Sequence, residues 1–449
     1  MARTSGSRSW FSPAIRLLNR LTLPQKFALI SFFFAVPLAL VLFFLSTRIQ
    51  QQINVAALEI EGVDYLTPLN ALHNELPQAM SLANAYLQKQ GFAMEHYPMR
   101  QTEIDSLMET LADIDRRSGE TLRTTQRFRV LRSSWEDVKT QLPKLSPETS
   151  DDQFRKLIAD VEDLMAWVGD QSTLILDPDL DSYYLMDAVL LKLPESARLV
   201  ARTRQLVGAR HVAGGMTEVD FSELNSQAGL LRFNLEKLDR GLRVGFDNNR
   251  SQTMQPAIDQ PLSQILSTTG SLLREVGVTT TAEGRKNFNA DRYQNTAAAV
   301  LTSNIRLWDR SAEQLKIVIQ FRMDSLRRQL LGLLAVALAA ILVVTYLWIS
   351  FYRAVMTTVH SLKEATERMR SGEEDFLVKL ETRDELGQIG QAFNEVAGQL
   401  IHAVGTTAVF SRGRWTAFSA RASTANTLRP TRRSPAFTSM RRWRISSRT

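Results

Sequence analysis

The amino-acid sequence predicts an all-α protein in which two transmembrane helices flank an elongated external helical bundle and a helix-link-helix coiled coil follows the second span. Three observations carry this prediction. Two long apolar runs lack charge, apolar residues recur at helical spacing, and the segment between the runs has little glycine or period-two alternation. The expected divisions, from N-terminal segment to basic tail, are 1–26, 27–45, 46–329, 330–352, 353–404 and 405–449.

The two apolar runs are Phe27 to Leu45, with nineteen residues, and Leu330 to Tyr352, with twenty-three. A helix needs ~20 apolar residues to cross the hydrocarbon core, so both runs qualify. Pro37 interrupts the first run, which membrane helices tolerate. The alternative for this run is a cleaved signal peptide, but "FFLSTRIQ" offers no small-x-small cleavage pattern, so we expect an uncleaved anchor.

Basic residues predict the orientation. Five of them precede the first run with no acidic residue among them, which places the N-terminus in the cytoplasm: Arg3, Arg8, Arg16, Arg20 and Lys26. Residues 46–329 are then outside, and the chain after Tyr352 is cytoplasmic. Arg327 and Arg328 lie on the unfavourable side, so the orientation of the second span follows from the first.

The external segment 46–329 shows helical seams. One seam steps by three and four residues from Phe221 to Leu242, and another runs from Leu301 to Ile319 toward the second span. We therefore expect the last external helix to be continuous with the second membrane helix. The chain has no cysteine, which excludes disulfides and thiolate metal sites. Its five histidines are scattered, so the sequence does not favour a His-rich metal site. It also has no GxSxG, HExxH or Walker A motif, so we expect neither an enzyme nor a cofactor.

The stretch "LDPDLDSYYLMD" begins at Leu176. Its alternating aspartates imitate the first ligands of a calcium loop, but Ser182 stands where that loop needs glycine and Ala188 where it needs glutamate. The other interpretation is a hinge, in which Asp177-Pro178 ends one helix and Asp181 or Ser182 caps the next. Two tyrosines then enter the bundle, and a ligand contact by Tyr183 and Tyr184 stays open.

The helix after this hinge carries arginines. Arg198 and Arg202, with Arg204 and Arg210 one turn away, would bind a small carboxylate through bidentate hydrogen bonds if they face inward. The alternative is that they are solvated surface arginines beside the apolar face. Pro194 is expected to kink or restart this helix.

Residues after the second span form two short heptad patterns joined by about a dozen residues. Helices this short are marginal alone, so their seams need partners, and a homodimeric four-helix coiled coil supplies them. "LKEATERMRSGEEDFLVKL" and "RDELGQIGQAFNEVAGQL" resemble a HAMP domain, the linker of bacterial chemoreceptors and sensor kinases. Thr358 stands where the family usually has proline. The resemblance assigns the following positions: Gly372, Phe376, Val378 or Leu380, Asp384, Glu385, Leu386, Gly387, Phe393 and Asn394.

The chain more broadly resembles bacterial transmembrane receptors of the methyl-accepting chemotaxis type, through "LTLPQKFALISFFFAVPLAL" and "LDPDLDSYYLMD". The resemblance implies a multi-pass protein of the bacterial inner membrane that senses a small periplasmic ligand and relays the signal through HAMP. The alternative is the sensor half of a HAMP-containing histidine kinase or nucleotide cyclase, and a third class is an extracellular membrane-bound enzyme.

The tail is compositionally different from the rest. The net charge is +7, and the stretch from Thr406 onward has ten arginines and no acid, which leaves −3 for the rest. We expect a frameshift between Gly405 and Arg412, with the output domain missing, so kinase-coupling partners would require a restored output domain. The alternative is an arm for nucleic acid or anionic lipid, but nothing upstream favours nucleic acid as a partner.

Overall fold

The computed structural model describes residues 12–212, 214–371, 377–378 and 385–399. Of these residues 91% are helical, and none is in a strand. The all-α prediction is therefore confirmed.

Eleven helices with described ends carry most of the chain. In order they are α1 (Ser12–Leu18), α2 (Leu23–Leu87), α3 (Gly91–Ser118), α4 (Thr125–Gln141), α5 (Pro147–Gln171), α6 (Leu180–Met186), α7 (Leu193–Val212), α8 (Glu218–Asn248), α9 (Met254–Gly277), α10 (Ala282–Lys286) and α11 (Ala290–Ser371). A further helical stretch covers 385–399. The helices are interrupted within 144–152, 175–182, 208–217 and 275–284.

Residues 27–337 form one compact unit, and residues 1–26 with 338–449 form another. The core of the first unit is built from the predicted seams. On α8 the seam from Phe221 to Leu242 is buried apart from the half-buried Ala228, and on α11 Trp308, Ala312, Leu315 and Ile319 are buried. Helical spacing puts these residues on one face, and burying that face stabilises the bundle.

The two apolar runs have a different environment. They lie within α2 and α11, and the most apolar window of each helix has none of its residues buried. Phe32, Phe33 and Phe34 are all exposed on α2, and the helix continues through Pro37. By length and composition both helices can cross a membrane. The protein therefore has two helices that resemble membrane spans. The last helix before the second apolar run is continuous with that run, as predicted, because α11 covers both.

A π-helical segment, Asp187–Lys192, precedes α7. Pro194 lacks the N–H that would continue the regular hydrogen-bond ladder, and a π turn is one way for a helix to absorb this break. Side chains from other helices bond the backbone here. Trp308 Nε1 donates to the Val189 carbonyl (2.8 Å), Asn234 Nδ2 to that of Lys192 (2.7 Å) and Asn304 Nδ2 to that of Leu193 (3.0 Å).

Replacing Trp308 with phenylalanine is expected to lower the free energy of unfolding by about 1–3 kcal/mol, because the Val189 carbonyl stays buried without its donor. Thermal unfolding of the detergent-solubilised chain measures the effect. Trp348→Phe is the control, since Trp348 lies exposed in the second apolar run. Equal losses in both variants would contradict a specific role for this hydrogen bond.

Candidate functional site

The 177–182 segment follows α5 and a short turn, and it includes the first residues of α6. Hydrogen bonds to the Asp177 carboxylate determine its backbone conformation. Asp177 precedes proline and is extended, as that position requires (φ −58°, ψ 124°). Its Oδ1 accepts hydrogen bonds from the Asp179 N–H (3.0 Å) and the Ser182 hydroxyl (2.8 Å). The predicted cap at Asp181 or Ser182 is wrong, because α6 begins at Leu180 with Asp179 at the cap position. Asp177 organises this turn instead, as an Asx turn does.

Arg322 of α11 joins this segment to α2. Its Nη1 donates to Asp177 Oδ1 (2.8 Å) and to Asp179 Oδ2 (3.3 Å), and its Nη2 donates to Glu59 Oε2. Glu59 is 1% exposed, and the Asp177 and Arg322 side chains are 0% and 18% exposed. We call these four residues the Glu59 cluster. It holds three elements together through one guanidinium.

Burial and charge act in opposite directions on this cluster. The pKa of Glu59 is raised from its ordinary value of 4.5 to about 7. Burial is the largest cause, Arg322 lowers the pKa, and the negative charges of Asp177 and Asp179 raise it. For Arg322, burial lowers the pKa, but the charges of Asp177 and Glu59 outweigh burial and the pKa is raised. The guanidinium therefore stays charged, and Glu59 is the group that titrates near neutral pH.

Neighbouring contacts extend the cluster in two directions. Asp181 Oδ2 accepts from Asn249 Nδ2 (2.9 Å), and Asn249 Oδ1 in turn accepts from the backbone at the start of α9. Lys316 of α11 forms an ion pair with Asp64 of α2. The 177–182 segment thus also contacts the α8–α9 link, and α2 and α11 are paired a second time.

Sequence reasoning missed Glu59, although the sequence contains a signal for it. The buried residues of this part of α2 step as Ile53, Ala56, Glu59, Val63 and Leu66. A lone acid within an apolar helical seam requires a partner, because a buried carboxylate without one is costly. Only the structure identifies that partner as Arg322.

The four residues predicted to bind ligand are dispersed. Arg198 makes a bidentate pair with Glu195 of its own helix (2.8 and 2.7 Å), and Arg202 pairs with Glu223 of α8 (2.6 Å). Both arginine side chains are exposed, at 45% and 57%. Tyr183 is exposed and Tyr184 is half-buried. Their role in ligand binding stays a prediction.

Arg204 has a different environment from these surface arginines. It is half-buried, burial lowers its pKa, and its Nε donates to Gln294 Oε1 (3.1 Å). Gln294 Nε2 returns a hydrogen bond to the Arg204 carbonyl (2.7 Å). Within the described ranges Arg204 has no carboxylate partner. A half-buried guanidinium of this kind is suited to an anion.

In the segment after the second apolar run, two hydrogen bonds join Asn394 to Val378. Asn394 Oδ1 accepts from the Val378 N–H (2.9 Å), and Asn394 Nδ2 donates to the Val378 carbonyl (2.8 Å). Val378 is buried. The amide therefore clips the connector to the following helix by satisfying both backbone groups of one residue.

The remaining positions assigned by the HAMP resemblance divide into two groups. Glu385 is exposed, Leu386 and Phe393 are half-buried, and Gly387 is buried. Four positions lie outside the described residues: Gly372, Phe376, Leu380 and Asp384. The signalling roles of both groups stay predictions.

Comparison with known families agrees with this geometry. Residues 351–402 match the family described as HAMP domain. Neither the curated proteins nor the solved structures compared with the chain give a match. Together with the two apolar helices, the HAMP domain supports a membrane-anchored, HAMP-containing transmembrane signalling receptor.

Replacing Arg322 with methionine is expected to lower the free energy of unfolding by about 3–5 kcal/mol, because two buried carboxylates lose their shared partner. The matched control is Arg310→Met on the same helix, whose exposed pair with Glu313 contributes about 0–1 kcal/mol. Thermal unfolding of the two variants measures the difference. A loss for Arg322→Met no larger than the control's would count against the cluster.

Replacing Asn394 with alanine is expected to speed hydrogen exchange at the Val378 amide at least tenfold, because this N–H loses its acceptor. Exchange read by mass spectrometry on the full chain provides the measurement. Glu395→Ala, an exposed neighbour on the same helix, is the control and should leave the rate unchanged. Unaltered protection in Asn394→Ala would show that the clip does not hold the connector.

Proposed function

We propose that the chain is a sensory receptor of the methyl-accepting chemotaxis type, in which residues 46–329 bind a small periplasmic molecule and pass a conformational change to HAMP. The observation that carries this proposal is α11, a single helix that includes Arg322, the second apolar run and the beginning of the HAMP match. Successive turns of a helix are joined by backbone hydrogen bonds, so a displacement at one end moves the other.

The proposed location is the bacterial inner membrane, with the N-terminus and HAMP in the cytoplasm and 46–329 in the periplasm. The basic residues before Phe27 support this orientation. The apolar runs, in which most residues are exposed and none is buried, support the bilayer as a partner, because such surfaces are costly in water.

The proposed assembly is a homodimer through the HAMP helices. Val359, Ile389 and Val396 are large apolar residues exposed on these helices. In a parallel coiled coil such residues would cover one another at heptad positions. A histidine kinase or nucleotide cyclase with the same sensor would use the same relay, and this remains the alternative to a chemoreceptor.

The proposed ligand class is a small carboxylate, and Arg204 is the residue that supports it best. Arg198 and Arg202 already have acidic partners, whereas the half-buried Arg204 has an amide partner only within the described ranges. A carboxylate could therefore form bidentate hydrogen bonds there without displacing an existing ion pair. The proposed role of the receptor is binding rather than turnover.

A ligand is expected to change the rate of disulfide formation between two copies of a Val359→Cys variant at least twofold. The chain has no native cysteine, so the cross-link is unambiguous. Organic acids, amino acids and amines would first be screened by thermal shift on the full chain in lipid nanodiscs. Compounds that raise the unfolding temperature would then be added to the cross-linking reaction.

Two controls make this test specific. Glu364→Cys places the thiol off the seam and should cross-link slowly with or without ligand. Arg204→Gln should lose the thermal shift, whereas Arg202→Gln should keep it. A ligand that binds but leaves the Val359→Cys rate unchanged would contradict the relay.

A further inference from the structure

The charges of the Glu59 cluster do not balance. Three carboxylates contact one guanidinium, so with all groups ionised the net charge is −2. Water reaches Asp179, whose side chain is 55% exposed, but Glu59 and Asp177 have almost no exposure, so two buried carboxylates share one guanidinium and one negative charge stays uncompensated. An uncompensated buried charge costs several kcal/mol, which a bound cation or proton would remove.

A second observation points to the same ligand. Asp177 Oδ2 is buried and has no hydrogen-bond partner, although the other oxygen of this carboxylate has three donors. The O–H of a protonated carboxyl group is a hydrogen-bond donor of the kind that Asp177 Oδ2 lacks. A metal ion is disfavoured, because Arg322 already occupies the point where the carboxylates converge. Among the residues that the structure describes, no set of three or more metal-binding side chains is placed to hold one.

The cluster lies where a small change can act on two long helices. Glu59 is on α2 and Arg322 on α11, the helices that contain the two apolar runs. One turn further along α2, Gly62 lies so close to Ser172 and Leu174 that an added Cβ would clash. The chain leading into the 177–182 segment therefore packs directly on α2, one turn from Glu59.

We propose that the Glu59 cluster is a proton-binding site, with Glu59 as the acceptor, whose protonation determines whether the 177–182 segment stays closed against α2 and α11. Protonated Glu59 remains buried and the segment is closed. Ionised Glu59 requires water, and the segment opens to admit it. The proton site itself does not depend on the proposed function, whereas its external location and its effect on HAMP do.

The direction of the effect follows from the pKa. In the closed form burial raises the pKa of Glu59 to about 7, whereas a hydrated Glu59 has its ordinary value of 4.5. The closed form thus binds the proton more tightly, and a rise in pH from below 4.5 to above 7 favours the open form by up to roughly 300-fold. That factor would take the open form from roughly 5% to roughly 95%.

The charged groups facing Glu59 support this assignment. Arg322 approaches from α11, and Asp177 and Asp179 approach from the segment. The next charges outward already have partners: Asp64 is paired with Lys316, and Asp181 with Asn249. The contribution of Glu59 to the stability of the closed state is therefore complete below pH 4.5 and is lost as the pH rises toward 7.

The test measures the opening directly. Asn54→Cys and Leu176→Cys place spin labels on exposed positions of α2 and beside the segment, in a chain without other cysteines. Their separation in the full chain in nanodiscs is read by dipolar electron paramagnetic resonance from pH 5 to 9. We expect a mainly short separation at pH 5 that lengthens with a midpoint between 4.5 and 7, and a short separation at every pH in the Glu59→Gln background.

Glu75→Gln is the matched control. Glu75 lies on the same helix, burial raises its pKa and it pairs with Arg100, so its substitution should leave the transition unchanged. A second readout guards against misfolding: between pH 4.5 and 7 the unfolding temperature of Glu59→Gln should depend less on pH than that of the parent chain.

Three outcomes decide the proposal. A separation that is independent of pH in the parent chain, or a transition that persists in Glu59→Gln, overturns it. A transition that Glu59→Gln removes supports it. If that transition occurs while cross-linking of Val359→Cys does not respond to pH, the proton site stands and the relay proposed above fails.

Discussion

The guanidinium of Arg322 is the interaction on which the rest of the 27–337 unit depends. It pairs with the buried side chains of Glu59 and Asp177 in an interior that disfavours their charges. Because each donor of the guanidinium has a fixed direction, the positions of α2 and the 177–182 segment relative to α11 are tightly constrained. Apolar burial stabilises the bundle without specifying such a register, since it has no directional preference.

Side chains satisfy irregular backbone at two places that matter for the packing of this unit, the 177–182 segment and the π segment before α7. At the 177–182 segment the Asp177 carboxylate replaces the hydrogen bonds of a regular helix. At the π segment before α7, Trp308, Asn304 and Asn234 donate to the backbone carbonyls. Both α8 and α11 therefore carry buried polar side chains within apolar seams. A buried polar group that loses one of its hydrogen bonds is costly. At such a site two alternative packings of the helices can therefore differ little in free energy.

The HAMP match accounts for residues 351–402 and carries the assignment to signal transduction. Its described part has a well-satisfied contact between Val378 and Asn394 beside exposed apolar side chains. Short helices that expose apolar side chains in this way are marginal alone, which supports the homodimer proposed above. That the receptor is of the chemoreceptor type is a proposal, which goes further than the HAMP match.

The sequence by itself determined the all-α class, the two apolar runs, the seam from Phe221 to Leu242 and the HAMP unit. Periodicity, apolar length and short motifs are local properties, so one chain is enough to find them. Only the tertiary structure decided that Glu59 and Arg322, 263 residues apart, share a buried cluster with Asp177, and that Arg204 rather than Arg202 is half-buried. Pairing between distant helices depends on how their faces meet in three dimensions, which no spacing along one chain records.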